Sequence, residues 1–310
     1  MNIFVFINQN IYFFMKKLQL FVVLFIASIA VSCSSDDGGD STGGGNGGNF
    51  QASFEYVFDG NPLNIALSQG QKSGNSMVVA AADSEGNAIQ FRFDKFGNLG
   101  TVSATPSDFE MPDYDSHQNY SGHYFTFNLI EVDETNKTVK ASFSGKLYED
   151  DENLDSEFKE VSGSFWVKYI EVTPSVEGLE VSAQINGNDW YSTNSYTTNG
   201  TEGWDTFIHH ELSDDEYKIM LGFDDTNMGP GVHSFTPATE TIYATVAKYN
   251  LETKTYETFN ATGTLEITAN ESFGIFTIVS GTYSFTAVNP SDSSETITVT
   301  NGKFKSNYSW

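Results

Sequence analysis

From residue 50 onward, apolar and polar side chains alternate with a period of two. Val139, Ala141, Phe143, Gly145 and Leu147 alternate with Lys140, Ser142, Ser144, Lys146 and Tyr148. Phe259, Ala261, Gly263, Leu265 and Ile267 alternate in the same way with Asn260, Thr262, Thr264, Glu266 and Thr268. Such alternation sets one face of a strand against a core and the other in water, as antiparallel sheets do. Val161 to Tyr169 and Val279 to Ala287 predict two further strands of this kind. Asp59-Gly60 and Asn186-Gly187 predict tight hairpins, because a type I′ turn needs positive φ at both central residues. Inward glycines at 145, 163, 263 and 281 predict bends or close backbone approach. No helical pattern of any length follows residue 50. The expected fold class is all-β: two tandem antiparallel β-sandwich or partly closed barrel domains.

Landmarks recur in order along these 260 residues, which predicts an internal duplication. Phe58-Asp59-Gly60-Asn61 returns as Ile185-Asn186-Gly187-Asn188, and Ile89 to Asp94 as Ile219 to Asp224. Ser103-Ala104-Thr105-Pro106 returns as Ser234-Phe235-Thr236-Pro237. Phe143 to Leu147 matches Ala261 to Leu265, and Val161 to Phe165 matches Val279 to Tyr283. Units of this length bury their own cores, so they read as domains at 50–173 and 178–310 and not as solenoid repeats.

Ahead of them, Met15-Lys16-Lys17 and the apolar run Leu18 to Val31 have the form of a signal peptide. The run is shorter than the roughly 20 residues a membrane span needs. Ile29-Ala30-Val31-Ser32-Cys33 resembles the lipobox of bacterial lipoproteins, with Ala30 where that family more often has a larger aliphatic residue. The resemblance implies cleavage after residue 32 and lipidation of Cys33. Residues 33–49, rich in Gly, Ser, Thr and Asn, then read as a flexible tether. Residues 1–14 read as an over-long start before Met15. Ser34-Ser35-Asp36-Asp37 resembles the surface-export signal of Bacteroidetes lipoproteins, and Asp40-Ser41-Thr42 that phylum's short O-glycosylation motif. The implied location is the outer membrane, lipid-anchored at the cell surface, with a periplasm-facing anchor as the alternative.

Charge narrows the partners. Without residues 1–32 the chain has 13 basic against 41 acidic residues, a charge of −28, and Arg92 is its single arginine. Nucleic acid needs clustered Lys and Arg and is excluded. Neutral sugars, cationic groups or metal-bridged partners remain, while the bland reading of the charge is solubility. Cys33 is the single cysteine, so there is no disulfide framework.

The second unit, over about 178–308, resembles small all-β lipoprotein domains common in Bacteroidetes. The resemblance rests on Asn186-Gly187-Asn188-Asp189-Trp190, Val279-Ser280-Gly281-Thr282-Tyr283 and Thr300-Asn301-Gly302-Lys303-Phe304. It implies fold and location and no mechanism. The first unit departs from it, with Pro62 after the turn where Trp is expected and no final hairpin after Tyr169.

Candidate chemistry is sparse. His117, His123, His209, His210 and His233 read as solvated loop histidines; His209 and His210 would point to opposite faces of a strand and not share one ion. The Asp225-x-Asn227-x-Gly229 stretch admits calcium, but Thr236 stands where an EF-hand needs its Glu; the expectation is no cofactor. No Gly-x-Ser-x-Gly elbow occurs, and carboxylate pairing for glycoside hydrolysis is not legible among 41 acids. Outward aromatics remain: Trp166, Trp204, Tyr191 and Tyr196, which can stack on sugar rings or simply cover the core and the domain contact. Trp190 is expected in the core. The expected function is a non-catalytic binding or adhesion module, for a glycan or an envelope protein. The alternatives are an accessory envelope lipoprotein acting through protein contacts and, less favoured, a glycan-active enzyme.

Overall fold

The computed structural model describes residues 50–309 apart from 109, 200–205, 225–228, 240 and 274–275. The described residues are almost wholly β, with one four-residue helix among them, α1 (Ser121–Tyr124). Its first half runs β1 (Ser53–Phe58), β2 (Asn61–Leu63), β3 (Ile65–Ser73), β4 (Ser76–Asp83), β5 (Ala88–Asp94), β6 (Leu99–Thr105), β7 (Tyr114–Asp115), β8 (Phe125–Asp133), β9 (Thr138–Tyr148) and β10 (Phe158–Glu171). The second half runs β11 (Glu180–Ile185), β12 (Asn188–Tyr191), β13 (Asn194–Asn199), β14 (Thr206–Leu212), β15 (Tyr217–Asp224), β16 (Gly231–Phe235), β17 (Tyr243–Asn250), β18 (Thr255–Thr258), β19 (Asn260–Phe273), β20 (Phe276–Val288) and β21 (Thr296–Ser309).

Both halves use one strand order. In the first, β2-β1-β10-β9-β8 lies opposite the meander β3-β4-β5-β6. In the second, β12-β11-β21-β20-β19 lies opposite β13-β14-β15-β17, with β16 and β18 added at the edges. Thin seams close the first half into a ring: β10 pairs in parallel with the end of β3, and the two-residue β7 bridges β6 to β9. The second half is an open sandwich of two separate sheets. Each has its own core, one centred on Phe91, Phe143 and Phe165, the other on Phe223, Tyr283 and Phe285.

Pairing corrects the alignment expected from sequence. Val161 faces Gly145, but Val279 faces Asn270, so β9–β10 does not correspond to β19–β20. The matching pairs lie one strand later. Phe143 faces Gly163 as Tyr283 faces Gly302, and Ala141 faces Phe165 as Gly281 faces Phe304. Phe125 faces Gly145, while in the second half the order is reversed, Gly263 facing Phe285. The ladder even slips at matching places, after Leu129 and after Ile267. The hairpin expected to be missing from the first half is therefore β9–β10 itself. Ser103–Pro106 and Ser234–Pro237 also do not correspond, since β6 pairs with β5 and β16 with β19. Leu63, not Pro62, takes the place of Trp190: Leu63 faces Tyr56 as Trp190 faces Ala183. All these strands carry Gly or aromatics inward and Ser or Thr outward, so several alignments score alike until hydrogen bonding selects one.

Other local expectations are met. Asp59, Gly60, Asn186 and Gly187 all have positive φ. A Cβ on Gly163 would lie 2.0 Å from the Glu55 carbonyl oxygen, and one on Gly302 would lie 2.4 Å from the Tyr283 ring. These are the close approaches inward glycine permits. Trp190 is buried and its Nε1 donates to Asp215 Oδ1 at 3.2 Å.

Candidate functional site

The two halves meet along a seam that combines backbone and short polar side chains with ring contacts such as Tyr120–Tyr249, 6.0 Å between centroids. Leu99 N donates to Asp214 Oδ2 at 3.1 Å, and Thr193 Oγ1 donates to Leu99 O at 3.2 Å. Gly122 N donates to Asp214 O at 2.8 Å. Small residues allow this proximity: a Cβ on Gly100 would lie 2.8 Å from Thr193 O, and one on Gly122 2.7 Å from Asp214 O. Further along the seam, Asn75 Nδ2 donates to Glu180 Oε2.

Beside this seam a groove opens. Its larger part, about 390 Å³, lies between the β3–β4 and β5–β6 turns of the first half and residues 174–180 and 191–193. A neighbouring recess of about 240 Å³ shares Arg92, Leu179, Glu180, Ser192 and Thr193 with it and runs to Glu211 and Ser306. Phe96, 49% exposed, stacks on Tyr191 at 4.2 Å with the rings 18° apart, one ring from each half. The turn bearing Phe96 is shaped by Asp94, whose Oδ1 accepts Phe96 N and Asn98 N, each at 2.9 Å. Burial nevertheless holds the Asp94 carboxyl above its ordinary range, against the pull of those bonds. Arg92 stands on β5 two residues before it, exposed toward the groove. A flat aromatic surface beside one guanidinium and several hydroxyls suits a polyhydroxylated ligand.

Among the described residues singled out from sequence as ligand-binding, Tyr191 alone lines this groove. Trp166 lies outward on β10, 37% exposed, edge-on to Phe50 at 5.0 Å with Lys140 Nζ 5.7 Å from its ring centre. Tyr196, on β13 of the other sheet, stacks on His210 at 4.4 Å and accepts from Lys218 Nζ at 3.4 Å. Burial lowers the Lys218 ammonium to about 8 and His210 to about 4. Trp204, Cys33, Asp225 and Asn227 lie outside the described residues. The described candidates Trp166, Tyr191 and Tyr196 thus sit in separate patches. Arg92, Phe96 and Glu211 were not singled out from sequence. The single arginine was a visible signal, whereas meeting Tyr191 or Glu211 depends on long-range packing.

The histidines correct a further expectation. His117, His209 and His210 are buried, not solvated. His117 Nδ1 lies 2.6 Å from Asp151 O and Nε2 3.4 Å from Tyr249 Oη. His209 and His210 occupy opposite faces of β14: His209 faces Leu221 on the core side, while His210 faces Met220 and packs under Tyr196.

Glu211, 3% exposed, shares the core-side face with His209. Its carboxyl accepts from Ser192 Oγ at 2.7 Å and Ser306 Oγ at 3.4 Å. Burial raises it to about 7 and lowers His209 to about 4. Among the described residues no group of three His, Cys, Asp or Glu is placed to hold a metal, and no helix is long and apolar enough to cross a membrane. No family model, curated protein or solved structure matches the chain.

Proposed function

We propose that this chain is an exported, lipid-anchored, non-catalytic binding protein made of two copies of one β-sandwich, with its ligand in the groove between them. The observation that carries the reading is the Phe96–Tyr191 stack, one ring from each half, beside the chain's single arginine. The ligand class favoured is a glycan, because stacked aromatics, hydroxyls and backbone groups recognise sugar faces and edges. The −28 charge of residues 33–310 turns polyanions away. Duplication is supported by the common strand order and the matched Gly–aromatic pairs. The anchor rests on the lipobox-like residues ending at Cys33.

The test has two arms. Glycan-array binding by residues 50–310 should appear for the wild type and fall for Arg92→Ala with the melting temperature unchanged. An array blank for both proteins, together with stable capture of an envelope protein, would replace the glycan reading with one of protein contacts. Metabolic labelling with palmitate should mark the full chain and fail for Cys33→Ser. Equal labelling of both would remove the anchor.

A further inference from the structure

Two matched positions in the two halves carry opposite chemistry. On β4 and β5, Val79 faces Phe91 and Ala81 faces Ile89; on β14 and β15, His209 faces Leu221 and Glu211 faces Ile219. Val79 and Ala81 are fully buried in an apolar core. The same strand position therefore accepts small apolar side chains, and the fold needs no carboxyl there. Burying one is costly unless it is paired. Departures from local rules of this kind concentrate at functional sites.

Glu211 also lines the recess at the end of the groove. An ionised carboxylate offers about four acceptor positions, and two hydroxyls approach this one. Among the described residues, the titratable and charged groups around it do not bring an ammonium or guanidinium onto its carboxyl. His209, on its own strand with Nδ1 3.9 Å from Oε1, is held neutral by burial. Tyr283, on β20, donates to Ser182 O at 3.1 Å. Lys305, on β21, donates its ammonium to Glu177 O at 2.6 Å. Arg92 lines the same recess without an ion pair to Glu211, and Glu180 there is a second carboxyl, taken up by Asn75 Nδ2.

We propose that Glu211 is the groove's recognition group for a primary ammonium on a polyhydroxylated ligand, the chemistry of an amino sugar. The inference rests on the groove being the ligand site. An entering ammonium would complete the acceptor shell and stabilise the ionised carboxyl, which burial otherwise raises to about 7. Binding near pH 6.5 should therefore release a fraction of a proton from Glu211.

The experiment is isothermal titration of the intact protein with a glucosamine tetramer and an N-acetylglucosamine tetramer. It is run at pH 6.5 in two buffers of different ionisation enthalpy. The expected result is affinity about tenfold higher for the amine, which a single charge-assisted hydrogen bond can supply, with proton release. Glu211→Ala, carrying the residue of the sister position, should bind both tetramers alike and release no proton from that site. Glu211→Gln should do the same while keeping an acceptor for Ser192, so loss of fold in one variant leaves the other to decide. Equal wild-type affinity for both tetramers overturns the ammonium assignment and leaves the groove standing. A preference for the amine that survives both substitutions overturns the role of Glu211. Failure of both tetramers to bind also overturns the assignment, and the Arg92→Ala array then decides the groove separately.

Discussion

The first half closes its strands into a ring and fills it with apolar side chains. The second keeps the same strand order as an open sandwich and places His209 and Glu211 where the first has Val79 and Ala81. Similar strand orders thus hold a conventional core and a core with an ionisable end that lines a surface recess. The difference lies where the second half meets the first, because the recess lined by Glu211 is also lined by Arg92 of β5. The first half contributes Arg92 and Phe96 to the groove, and the second contributes Tyr191 and Glu211. Neither builds the groove alone.

The largest effects should come from testing whether the halves share a plan. On a shared plan, Phe125–Gly145 and Gly263–Phe285 would be one cross-strand pair with its members exchanged. A Cβ on Gly145 would already lie 2.6 Å from the Phe125 ring. Gly145→Phe should therefore abolish folding of the first half, and Phe125→Gly alone should cost about 3–5 kcal/mol by emptying the core. Combined, they give the first half the arrangement of the second, and urea unfolding should recover most of the lost stability. A double variant no better than the worse single one would break the correspondence.

A smaller effect separates the halves by pH. The folded state holds the Glu211 proton up to about 7, against an ordinary 4.5. Its contribution to stability is full below 4.5 and is lost as pH rises through about 7, on the order of 3 kcal/mol. His209 and His210, lowered from 6.5 to about 4, act in the opposite sense and lose stability as pH falls from 6.5 toward 4. Subtracting wild type from Glu211→Ala isolates the carboxyl: the variant should gain relative stability between pH 4.5 and 7 and stay level above it. Val79→Ala in the first half should show no such window.

The halves and the seam were legible from sequence to different degrees. Alternation identified the strand faces, and the Asn-Gly and Asp-Gly pairs placed the hairpins, because both depend on neighbours along the chain. The partner of each strand did not follow, since Val-Ser-Gly-Ser-Phe and Val-Ser-Gly-Thr-Tyr satisfy the same inward and outward demands on β10 and β20 without being equivalent. Tyr191 was visible as an aromatic in polar surroundings, whereas nothing along the chain marked Phe96, whose stack on Tyr191 joins residues far apart in sequence. Glu211 looked like one acid among many, because its burial and the Ser192 and Ser306 hydroxyls that meet it come from tertiary packing.

The seam should be sensitive to size and nearly indifferent to surface charge. Gly100→Val would drive a side chain toward Thr193 O, costing about 1–3 kcal/mol by overpacking. It should loosen the seam while each core stays intact, read as faster amide exchange at Leu99 and Thr193. Lys254–Asp155 also spans the halves at 3.4 Å, with side chains 49% and 85% exposed. Lys254→Ala should change stability by under about 0.5 kcal/mol, and a larger loss would mean the contact is better ordered than an exposed pair.

A double-mutant cycle on Phe96 and Tyr191, reading glycan affinity, probes the groove between the halves at its aromatic pair. A shared platform expects each alanine variant to weaken binding about tenfold. The double variant should then lose clearly less than the product of the two losses, because each ring positions the other. Unchanged affinity in both single variants, with the fold intact, would contradict a binding site between the halves.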